Sequence, residues 1–110
     1  METTEAVREL CDVLTAKVVA ALAGVENPDQ VGAWGEDALA PTPPVERRLR
    51  FALEVLHEIA GTQGMSAAQS WALTINPRLG YDSPIKAIRE DRFQETAAAA
   101  KALLEDAYDG

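Results

Sequence analysis

Residues 71–92 read W-A-L-T-I-N-P-R-L-G-Y-D-S-P-I-K-A-I-R-E-D-R. Trp71 and Leu73 belong to a short apolar helix that runs into Asn76-Pro77, and a loop carrying Leu79-Gly80 follows. Ser83-Pro84 then opens another helix. Proline suits the first helical turn, where its missing N–H is no loss, and the preceding serine caps the free amides. The stretch predicts helix, structured loop, helix. No group in it is poised for bond chemistry, so its value is its shape.

Working outward, the rest of the chain carries the same helical punctuation. Thr3 or Thr4 is placed to cap a first helix, with Leu10, Val13 and Leu14 on one face. A second helix spans residues 16–22 and is stopped by Ala23-Gly24, where glycine can take a positive φ. Asn27-Pro28 reads as cap plus first residue of a third helix, which carries Val31 and Trp34 and ends near Gly35. Residues 36–44 form the clearest loop, and a long helix is expected from Pro44 to Ala60. In it Leu49, Ala52, Leu53, Leu56 and Ile59 follow helical spacing, with Phe51 and Val55 as a second stripe. A helix apolar on two sides must be covered on two sides, so this one is expected to join the two ends of the chain. Ser66-Ala67-Ala68-Gln69 and Asp91-Arg92-Phe93-Gln94 are capping-box sequences, predicted to start the Trp71 helix and the last helix. The expected fold is all-α, with about seven helices. Three parts are expected: a helix-turn-helix-like module at 1–42, a connecting helix at 43–64, and a helical binding domain at 65–110.

Length and composition narrow the function. The chain has 110 residues with one cysteine and one histidine, which excludes an internal disulfide and any cysteine- or histidine-rich metal site. No apolar run approaches a membrane span, and the acidic N-terminus lacks the core of a secretory signal. A cytoplasmic protein with no membrane partner is the expectation. Net charge is −8, unevenly spread: residues 1–41 carry eight acids and two bases, and residues 65–110 seven acids and five bases. The N-terminal third should repel a polyanion.

The pattern Trp71, Asn76-Pro77, Leu79-Gly80, Pro84-Ile85 and a small-residue helix from Phe93 to Tyr108 resembles the toxin-binding domain of the Xre/MbcA/ParS antitoxin family. The resemblance covers the C-terminal half. A second glycine often follows Leu-Gly in that family, and here the residue is Tyr81. The family often has a glycine in the turn before its last helix, and here that turn reads Glu90-Asp91-Arg92. The resemblance implies an antitoxin of a type II toxin–antitoxin system, which neutralises an NAD-consuming toxin of the RES fold by binding it directly. It also implies a homodimer or a hetero-oligomer with the toxin, no cofactor, and a helix-turn-helix ahead of the binding domain, with Trp34 closing its third helix. The toxin contact then falls on the C-terminal segment. Leu103, Leu104 and Tyr108 are the candidate anchors, and Asp106 and Asp109 the candidate partners for cationic groups that hold phosphates.

Other chemistry finds little footing. His57 has no nucleophile or paired carboxylate placed by sequence to use it, Cys11 reads as a buried free thiol, and no phosphate loop or catalytic triad order is present. The sequence points away from an enzyme. Arg47, Arg48 and Arg50 form the only basic cluster, readable as phosphate contacts or as intramolecular partners for the acidic N-terminal module. On the third helix Gln30 offers an adenine contact, but Asp29, Ala33 and Glu36 offer nothing that reads guanine. A DNA-binding regulator of phage or plasmid type is the alternative function, with weak DNA binding expected of the protein alone.

Overall fold

The computed structural model describes the backbone of residues 2–109 and the side chains of residues 2–106. Seven α-helices follow in order: α1 (Thr3–Leu14), α2 (Ala16–Ala23), α3 (Pro28–Gly35), α4 (Pro43–Gln63), α5 (Met65–Leu73), α6 (Pro84–Arg89) and α7 (Phe93–Asp109). A 3₁₀ turn, Pro77–Leu79, lies between α5 and α6. Among the described residues there is no strand, only an isolated antiparallel bridge between Asn76 and Asp82. The all-α class and the helix number agree with the sequence reading.

Local rules account for most of the boundaries. In α1, Ala6, Val7, Leu10 and Leu14 are buried, one apolar stripe at helical spacing. The α2 helix ends on Gly24 at φ 82° and ψ 25°. There the Val25 N–H donates to the Ala20 carbonyl at 3.1 Å and the Gly24 N–H to Ala21 at 3.2 Å, the paired bonds of a Schellman end. Asn27 Oδ1 accepts from the Asp29 N–H at 2.9 Å, and Pro28 is the first residue of α3, as its sequence announces.

The long α4 helix is the centre of the molecule. Val45, Leu49, Ala52, Leu53, Val55, Leu56 and Ile59 are all buried, and the helix touches α1, α2, α5, α6 and α7. Phe51 adds a tilted ring contact to Phe93 at the start of α7, with centroids 4.8 Å apart. Beyond α4, α2 lies directly against α6, so the two ends of the chain also meet without an intermediary. One continuous apolar core results, from Ala6 on α1 to Ala100 on α7.

Several expected caps are not made, and at Thr3 and Asp91 tertiary partners take the groups that would make them. Thr3 falls inside α1, and its hydroxyl donates to Glu46 Oε1 on α4 at 2.6 Å. The α4 helix starts at Pro43, one residue early, and runs on to Gln63, three residues past the expected end. The α5 helix starts at Met65 behind Gly64 at φ 90°, with no side-chain cap, so Ser66 is inside the helix. At α7 the helix begins at Phe93, and the Asp91 carboxylate is turned to Arg48. Cys11, expected to be buried, is half-buried.

Candidate functional site

The corner between α5 and α6 is built from its own sequence. Asn76 works in both directions: its Oδ1 accepts from the Arg78 N–H at 2.9 Å, and its carbonyl accepts from Leu79 at 2.9 Å and Tyr81 at 3.0 Å. Its N–H donates to the Asp82 carbonyl at 3.0 Å, which closes the loop. Pro77 opens the 3₁₀ turn, and Gly80 follows at φ 66°. Leu79 is fully buried with Ala87, Ala99 and the half-buried Trp71. Ser83 Oγ accepts from the Lys86 N–H at 3.2 Å, and Pro84 is buried as the first residue of α6. All six motif residues, Trp71, Asn76, Pro77, Leu79, Gly80 and Pro84, therefore shape or anchor one corner.

Arg92 fastens that corner to α7. Its guanidinium donates to Asp82 Oδ2 at 2.9 Å, to the Leu79 carbonyl at 3.0 Å, and to Glu95 Oε2 at 2.7 Å. Glu95 first and Asp82 second hold the guanidinium above its ordinary basicity. Lys86 first and Arg92 second hold the Asp82 carboxyl below the usual range. Arg92 carried no sequence signal beyond its place in a capping box; only the folded loop brings Asp82 and the Leu79 carbonyl to it.

The corner leaves apolar groups outside. Leu73 is 48% exposed, Ile75 64% and Tyr81 70%. Of these, Ile75 lines an open groove of about 400 Å³ that runs between α5, residues 74–77 and α7 and is floored in part by Trp71, Pro77 and Leu103. None of the residues lining it is charged. The sequence reading missed these exposed groups. Ile75 lies between the extended Thr74 and the Asn76 cap, and Tyr81 directly after Leu79-Gly80; both lie outside the helices, and that was the available signal.

Of the candidate anchors, Leu103 is half-buried, packs on the core and lines the groove, while Leu104 is half-buried. Asp106 is exposed. The side chains of Tyr108 and Asp109 lie outside the described residues.

Two arginines of the basic cluster, Arg48 and Arg50, are engaged by groups of this chain. Arg48 Nη1 donates to the Ala23 carbonyl at the end of α2 at 2.7 Å, and its other nitrogens hold Asp91 at 2.9 and 3.3 Å. Gly24 makes room for this contact: a Cβ there would stand 2.9 Å from Arg48 Nη1. The Asp91 carboxyl is held below the usual range by Arg48 above all. Arg50 binds Glu46 at 3.1 Å and the Thr3 hydroxyl at 2.9 Å. Arg47 and Gln30 are exposed, on α4 and α3 respectively. His57 Nε2 lies 2.7 Å from Glu9 Oε1, tying α4 to α1 at an exposed edge.

Comparison with family models, with curated proteins and with solved structures finds no match to this chain.

Proposed function

We propose that the protein is an antitoxin, a binding protein whose C-terminal half docks on a toxin of the RES fold and obstructs its nucleotide site. The observation that carries this reading is the corner at residues 71–84, which is tied by its own backbone hydrogen bonds yet leaves Leu73, Ile75 and Tyr81 exposed, with Ile75 lining an uncharged groove. Large exposed apolar groups on a corner that also holds a concavity suit a protein partner, with aromatic and aliphatic anchors inside a polar rim. Both departures from the family pattern fit the same backbone. Tyr81 has φ 69° and Asp91 φ 62°, left-handed conformations at the two places where that pattern has glycine. The neutralising contact is steric and electrostatic. Leu103, which lines the groove, supplies area together with Leu104 and Tyr108, and Asp106 and Asp109 meet cationic groups that otherwise hold phosphates.

The test is coexpression with the neighbouring open reading frame, which on this reading encodes a toxin of the RES fold. The full chain is expected to restore growth, and a chain ending at Leu104 is expected to keep its helical circular dichroism but lose rescue. Failure of the full chain to rescue ends the antitoxin reading. Full rescue by the shortened chain at equal expression moves the neutralising surface from α7 to the corner.

A further inference from the structure

A second concavity lies between α1 and α3. It measures about 370 Å³ and has Val7, Cys11 and Val31 on its apolar side. On α3 the wall is backbone: Gly32 lines the groove, and a Cβ built there meets nothing within 4 Å. The lips are acidic. Residues 29, 32 and 36 fall on one helical face, so Asp29 and Glu36 flank Gly32; on α1 the same spacing groups Glu5, Arg8 and Asp12. All six are exposed. The one cation among them, Arg8, donates through Nε to the Gly35 carbonyl at 2.8 Å, and so spends its charge on the negative end of α3.

We propose that this groove is a second docking surface, which takes a cationic amphipathic helix of a partner protein. An apolar side chain of that helix rests on Val7, Cys11 and Val31, and flanking lysines or arginines meet Asp12 and Glu36. Charge selects this occupant. Residues 1–41 carry a net −6, which repels nucleic acid and a second copy of the same module. An apolar segment without cations leaves the acidic lips unmatched, whereas a helix laid in a groove presents both kinds of group at i, i+3 and i+4. The site is remote in sequence from the α5–α7 surface and stands independently of what that surface binds.

The test uses the full chain and a synthetic leucine–lysine amphipathic peptide of about 15 residues, long enough to hold a helix. Cys11, the only cysteine, reports occupancy through its alkylation rate. The peptide is expected to bind and to slow alkylation. Gly32→Trp, which fills the groove, and Glu36→Lys, which reverses a lip, are each expected to weaken binding at least about tenfold. Gly32→Ala replaces a helical glycine and is expected to keep both fold and binding. Glu58→Lys, on the exposed side of α4, changes net charge by the same amount and is expected to alter binding by less than about twofold, since salt screens distant charges. Equal loss with Glu58→Lys and Glu36→Lys would reduce the effect to net charge and overturn the proposal. So would unchanged binding by a folded Gly32→Trp, peptide binding that leaves Cys11 reactivity untouched, or self-association abolished by Gly32→Trp.

Discussion

Tyr81 and Asp91 show how much a single residue is asked to do here. Each holds a left-handed backbone, at φ 69° and φ 62°, that glycine adopts without penalty. A β-carbon in that region costs about 1–2 kcal/mol, and the surrounding structure must supply it. At Asp91 the compensation is visible, since the carboxylate is gripped by Arg48. At Tyr81 it is not, because the ring is exposed. Tyr81→Gly is therefore expected to be more stable than Tyr81→Ala by about 1 kcal/mol, once the greater unfolded-state entropy of glycine is set against the relief of strain. Urea unfolding of the two variants checks this, and equal midpoints would mean that the turn relaxes when the ring is gone.

Among the elements, α4 decides whether the chain holds together. Leu53 and Leu56 are buried on the helix that touches five of the other six. Truncating either to alanine is expected to cost about 2–5 kcal/mol, the transfer term plus the cavity left behind. Thermal melts within a degree of the parent would show that neighbouring helices close the gap and that α4 is not the shared wall of the core. The α2–α6 contact complements it. Arg48 spans both, satisfying a free carbonyl at the end of α2 while holding the turn into α7. A buried stripe and a half-buried guanidinium thus join the same two ends of the chain by different physics.

For the molecule as a whole, the charge map is the feature with consequences for partners. Net charge is −8, and two of the three clustered arginines are already engaged by Glu46, Asp91, a hydroxyl and a carbonyl. Contacts to phosphate would have to break these bonds and overcome repulsion from the acidic module. The protein alone is expected to bind its own promoter DNA weakly at physiological salt, with affinity falling steeply as salt rises. Tight, sequence-selective gel shifts under those conditions would show that Gln30 and Arg47 outweigh the field.

What the sequence determined by itself is the part governed by neighbours along the chain. Apolar spacing made the class all-α. Asn27-Pro28, Asn76-Pro77 and Ser83-Pro84 placed three starts, because a cap and its amides lie within three residues of each other. What only the tertiary structure decided is where competing polar groups went. Thr3 and Asp91 had local amides on offer and went instead to Glu46 and Arg48, each 43 residues distant in the chain. A charged partner makes a stronger hydrogen bond than a neutral amide, and it is available only once helices have packed. The exposed Leu73, Ile75 and Tyr81 were undecided for the same reason: an apolar residue counts as core or as surface only after its neighbours have chosen which side of it to cover.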